Sequence, residues 1–204
     1  MRTSSSVEYY SSPLRRYLVL GLITILGYLC QVCIMPYVQV LGVTPNLLYA
    51  VIAIVTVAYG RIQALWLGVF YGLLLEIMLP SVPFLSLGLY TVTSLLASFV
   101  FADRSAKSLE MDRALNRKSR IIPAWLRTVL CAMTNVFAYE TVNIVYIYIS
   151  GSPLTISHFL RGLADVFTTG LLTLAIEFPI RRLIFGKRVI TPVLKNQPIV
   201  FGKK

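Results

Sequence analysis

The feature that most constrains this chain is a series of long apolar blocks. From Tyr17 to Val40 no charged residue occurs, and comparable blocks recur as far as Ile180. A helix crossing the hydrocarbon core of a bilayer needs about 20 predominantly apolar residues. A soluble domain of this size has too little interior to hide so much apolar surface. Charged residues make up only 13% of the chain, about half the usual share of a soluble domain. In lipid every backbone polar group must be satisfied within the protein, which a helix achieves along its own length. The expected fold class is therefore all-α, a polytopic integral membrane protein forming a six-transmembrane-helix bundle.

Breaks between the blocks set the expected spans at 17–40, 45–59, 64–79, 84–101, 125–150 and 158–180. Pro36 should bend the far end of the first span. Leu41–Thr44 reads as a turn, and Pro45 suits the opening position of the second helix, where its missing N–H is not needed. Gly60-Arg61-Ile62-Gln63 reads as the next turn. Pro80 and Pro83 end the third span, because proline cannot continue a helix interior. Residues 102–124 form a hydrophilic, charge-dense loop, and Gly151-Ser152-Pro153 turns the chain into the sixth span. The head, 1–16, lacks the apolar core of a cleavable signal, and 181–204 is a basic tail.

Basic residues orient the bundle. Eighteen of the 19 Lys and Arg residues fall in the head, the second-to-third turn, the 102–124 loop with its exit, and the tail. All lie on one side if six helices alternate, and Arg161 is the exception. Lys- and Arg-rich loops face the cytoplasm, so both termini are expected there, in a bacterial cytoplasmic membrane. The net charge of +11 thus acts as a topology signal and attracts anionic lipid headgroups through the basic loop and tail. Nucleic-acid binding is not expected, since it calls for a basic face rather than charges spread between apolar blocks. Leu109, Leu115 and Ile121-Ile122 among basic residues suit a partly helical segment on the membrane surface; a bare topology signal fits equally well.

Cys30 and Cys33 have a C-x-x-C spacing, but they and Cys131 lie in apolar runs, where cysteine packs as a small hydrophobe. His158 is the sole histidine, too few ligands for a zinc site, and no cofactor or metal is expected. Neither an H-E-x-x-H nor a G-x-S-x-G pattern occurs, and no enzymatic activity is expected.

The informative residues are ionisable groups inside apolar blocks: Glu76, Glu140, Arg161, Asp165 and Glu177. Each costs about 2.5–3.5 kcal/mol at a helix centre on insertion scales, so each should face protein or water. Glu177 and Arg181 stand at i and i+4, the spacing of an interfacial ion pair. The other four fall in the outer half of the expected arrangement. They are expected to converge, with Asn143, on one polar cluster between the third, fifth and sixth spans, Arg161 balancing the acids. A local Arg161–Asp165 pair reaching the surface fits as well. Gly68, Gly72 and Glu76 share one face at steps of four, and glycines so placed let another helix approach closely. That helix belongs to a partner or to this chain.

The run Pro45-Asn46-Leu47-Leu48, then Gly60, then Gly68-Val69-Phe70-Tyr71-Gly72-Leu73-Leu74-Leu75-Glu76, then Gly88 resembles the pattern of the rod shape-determining protein MreD family. Asn46 and Glu76 stand where that family usually has Asp, which marks a divergent member. The motif matches are confined to residues 45–88. The resemblance implies a non-enzymatic scaffold of cell-wall elongation, working beside an MreC-type protein, MreB filaments, a RodA-type polymerase and a class B penicillin-binding transpeptidase. The family is also similar in outline to substrate-binding subunits of energy-coupling-factor vitamin transporters, so such a subunit, or another small-molecule transporter, is the alternative. The outer polar cluster would then be a ligand pocket.

Overall fold

The computed structural model describes residues 13–40, 42–78, 84–102, 123–153 and 155–185. Six helices run through them: α1 Pro13–Cys33, α2 Leu47–Tyr59, α3 Arg61–Met78, α4 Leu85–Phe101, α5 Ala124–Ile149 and α6 Ile156–Phe185. Among the described residues, the only other regular features are a 3-10 turn at Met35–Tyr37 and an isolated bridge between Val40 and Val43. Four helical stretches, Tyr17–Tyr37, Arg61–Met78, Ala124–Ile149 and Ile156–Ile184, are long and apolar enough to cross a membrane. The remaining two, Leu47–Tyr59 and Leu85–Phe101, are apolar but shorter.

The core lies around α2. Eleven of its 13 residues are buried, so it has no solvent-facing stripe, the mark of a helix enclosed on every side. It packs against α1, α3, α4, α5 and α6. The outer helices do the reverse, exposing large apolar side chains such as Leu18, Leu22, Trp66, Ile77, Phe167 and Leu171. An apolar outer surface around a partly polar interior is what lipid demands of a bundle.

Local chemistry sets the ends differently from the sequence expectation in four places. One of them is α6, which runs through Pro179 and past the expected limit at Ile180 to Phe185, so the first residues of the expected tail are helical. The first helix stops at Cys33, because Pro36 lies at the opening of the 3-10 turn and the chain then descends to meet α2. Pro45 is not the opening residue of α2; Asn46 is the N-cap and the helix begins at Leu47. The turn between α2 and α3 is Gly60 alone, at φ 97°, and Arg61 already belongs to α3. Only glycine enters that region without steric penalty, so one residue reverses the chain. Residues 103–122 of the basic loop, with Leu109, Leu115 and Ile121-Ile122, the tail beyond residue 185, the head to residue 12 and the turn at 79–83 lie outside the described residues.

Gly68 and Gly72 join α3 to α4 within this chain. A Cβ on Gly68 would lie 2.7 Å from the carbonyl oxygen of Tyr90, and one on Gly72 would lie 2.7 Å from Leu87 Cα. Backbone meets backbone there, leaving no room for a partner's helix. Tyr71, between them in sequence, turns the other way and donates from its hydroxyl to the Thr24 carbonyl of α1 at 3.1 Å.

Candidate functional site

A polar network linking four helices centres on Asn46. As the N-cap of α2, it faces the unsatisfied N–H groups that open every helix. Its Oδ1 accepts from the Tyr49 amide at 3.3 Å, and its Nδ2 donates to the Tyr90 hydroxyl at 2.9 Å. Its own amide donates to Thr169 Oγ1 at 2.9 Å, and Thr169 passes a hydrogen bond on to Asp165 Oδ1 at 3.0 Å. The next amide, Leu47, donates to Gln31 Oε1 at 2.7 Å. Within two residues, α2 is therefore tied to α1, α4 and α6.

Three tyrosines floor this network. Tyr49 of α2 stacks on Tyr90 of α4, with ring centroids 4.3 Å apart and planes 3° from parallel. Tyr139 of α5 packs edge-on against both, at 5.7 and 6.0 Å. Thr93 donates to the Tyr49 hydroxyl at 3.4 Å. Glu140 follows Tyr139, is half-buried, and faces Asp165 and Asn143 within hydrogen-bonding reach. Gly162 of α6 lies opposite, where a Cβ would come 3.5 Å from that of Glu140.

The structure thus unites Glu140, Asn143 and Asp165, but it redraws the expected cluster. Glu76 is not in it. The acid's Oε1 accepts from the Phe84 amide at 2.7 Å, capping the start of α4 across the turn. The reason is topological: α3 packs on α2 and α4, and α2 stands between it and the α5–α6 pair. Nor does Arg161 pair directly with the acids. It is exposed, and its charge acts on Glu140 through space.

Glu177 forms the expected pair with Arg181, at 3.1 Å, and is the partner that lies buried. Its Oε1 also accepts from Thr128 of α5 at 3.2 Å, so the pair is part of the α5–α6 seam rather than a surface contact. Of the cysteines, Cys131 is fully buried, Cys30 half-buried and Cys33 exposed, and all three are free. The packing role expected for Cys33 is therefore not met inside this chain. Gly88 differs from the other motif glycines: a Cβ there would meet nothing within 4 Å.

Sequence reasoning did not single out Gln31, Tyr49, Tyr90, Tyr139 or Thr169. One signal was available for the last, because Asp165, Thr169, Thr173 and Glu177 recur at every fourth residue. Comparison of the chain with protein-family models, curated proteins and solved structures gives no match.

Proposed function

We propose that this chain is a non-enzymatic membrane scaffold of the bacterial cell-wall elongation machinery, of the MreD type. Its partners in this reading are an MreC-type protein, a RodA-type polymerase and a class B penicillin-binding transpeptidase. The observation that carries the reading is what the motif residues do. Asn46 ties α2 to its neighbours, Gly60 makes the α2–α3 reversal, and Gly68 with Gly72 sets the α3–α4 contact. Asn46, Gly60, Gly68 and Gly72 are thus residues on which the bundle's geometry depends, as befits a part that holds other proteins at fixed spacing; Gly88 of the same pattern is not among them.

In the same reading α2 and α4 complete six passes, both termini are cytoplasmic, and the Asn46 network lies in the outer half of the membrane. Basic residues of the loop and tail then meet anionic headgroups at the inner surface.

Depleting the protein in its source bacterium, while following cell outline and the sites of new wall synthesis, tests the role. Rods should round up within a few generations, and wild-type protein should restore them. Unchanged shape together with impaired vitamin uptake would favour a substrate-binding transporter subunit instead. One observation leans that way: Tyr49, Tyr90, Tyr139, Asn46, Glu140 and Asp165 combine aromatic and polar groups as ligand sites do.

A further inference from the structure

Asp165, Thr169, Thr173 and Glu177 share one face of α6, and all four are buried. They span about 18 Å at the helical rise, more than half of a hydrocarbon core about 30 Å thick. The facing helices continue the polarity. From α5 come Thr128 and Asn135, both buried, and Tyr139; from α2 come Asn46, Tyr49 and the buried Thr56. Helix packing alone accounts for threonines, which satisfy themselves on the preceding turn, as Thr173 does on the Thr169 carbonyl at 2.7 Å. It does not account for an acid at each end.

The lower acid carries a second anomaly. Glu177 is 1% exposed, and its carboxylate points into the seam, where Oε1 accepts from Thr128 and Arg181. Its Oε2 is equally buried and has no hydrogen-bond partner. A buried acceptor left this way calls for a specific explanation, such as a transient proton or a water.

We propose that the α2–α5–α6 seam conducts protons between the Glu140–Asp165 pair near one end of the bundle and Glu177 near the other. A proton taken up by Glu140 passes to Asp165, whose Oδ1 already holds the Thr169 hydroxyl at 3.0 Å. Thr169 and Thr173 relay it once their hydroxyls turn away from Asp165 Oδ1 and the Thr169 carbonyl, to which they donate at rest, each then accepting on a lone pair while releasing its own hydrogen. Water drawn into the seam bridges the steps longer than a hydrogen bond. Glu177 Oε2 receives the proton and releases it on the far side, so one proton moves and only O–H bonds form and break. Around Asp165 the titratable and charged groups are Glu140, Arg161, Tyr49, Tyr90 and Tyr139; Arg181 stands beside Glu177. This activity is independent of any role in cell shape.

The test uses the full chain in phosphatidylethanolamine–phosphatidylglycerol vesicles with a trapped pH-sensitive dye and a valinomycin-set potential. Wild type should acidify the lumen faster than protein-free vesicles. Asp165→Asn and Glu177→Gln should each slow that flux about tenfold or more, as expected when an intramembrane relay acid is removed. Glu76→Gln, whose carboxyl lies outside the seam, should conduct like wild type. Circular dichroism and gel filtration establish folding, and if an acid variant misfolds, the near-isosteric Thr173→Val should show the same loss. Wild-type flux no greater than that of empty vesicles overturns the proposal. So does full flux in folded Asp165→Asn and Glu177→Gln, or in folded Thr173→Val.

Discussion

The amide of Asn46 does two jobs at once, accepting the capping bond from Tyr49 and donating to Tyr90. Removing both groups should be felt at both ends. Asn46→Ala loses a cap, typically about 1 kcal/mol, and leaves a buried tyrosine hydroxyl short of a partner, about 1–3 kcal/mol more. The expected result is a clearly lower thermal midpoint in detergent. Asn46→Asp keeps the cap acceptor but loses the donor to Tyr90, and its midpoint should fall between the two. In the sequence Asn46 stood out only through the resemblance, and Pro45 was expected to open the helix; an Asn just before an apolar run is nonetheless a capping signal that could have placed it. Its partners were not legible. Tyr90 lies 44 residues away and Thr169 123 residues away, and tyrosines inside apolar runs read as ordinary core until the fold brings their hydroxyls together.

Among the elements, the α3–α4 hairpin offers the sharpest contrast. Gly68→Ala drives a methyl to within 2.7 Å of the Tyr90 carbonyl oxygen, and overpacking of that kind typically destabilises by about 1–3 kcal/mol. Gly88→Ala, on the partner helix, adds a methyl to open space and gains helix propensity of up to about 1 kcal/mol. Urea or thermal unfolding in detergent should therefore move the two variants in opposite directions. Glu76 caps the Phe84 amide at the start of α4, and Phe84 sits at φ 64° in the left-handed region. Glu76→Gln keeps the oxygen that caps the Phe84 amide and should be nearly neutral. Glu76→Leu removes it and should destabilise by about 1 kcal/mol; equal midpoints for the two would contradict the capping role. Steps of four had placed Gly68, Gly72 and Glu76 on one face correctly. Which helix met that face was invisible, because periodicity orders residues on a helix and says nothing of its neighbour.

For the molecule as a whole, hydropathy gave the number of apolar helices and most of their limits, since apolar length and proline breaks are written locally. It also placed Glu140, Asp165 and Glu177 inside the bundle, though not Glu76. What it could not supply was the order of packing, in which α2 fills the centre and separates α3 from the α5–α6 seam. In the six-pass arrangement, single cysteines at Gly42 and Gly151 should react with an impermeant reagent from one side of the membrane. Cysteines at Gly60 and Ala102 should react from the other. Labelling of Gly42 and Gly60 from the same side would exclude that arrangement.

The enclosure of α2 bears on how such a protein is made. At 13 residues the segment is about 20 Å long, well short of the hydrocarbon thickness, and its natural surroundings are other helices rather than acyl chains. A translocation channel that sorts segments one at a time by their affinity for lipid has no bilayer-long stretch to release. The segment must reach its position by capture, drawn in as its neighbours close around it. Nascent chains truncated just past Gly60 should leave Leu47–Tyr59 accessible to glycosylation tags or protease, whereas chains extending beyond α6 should protect it.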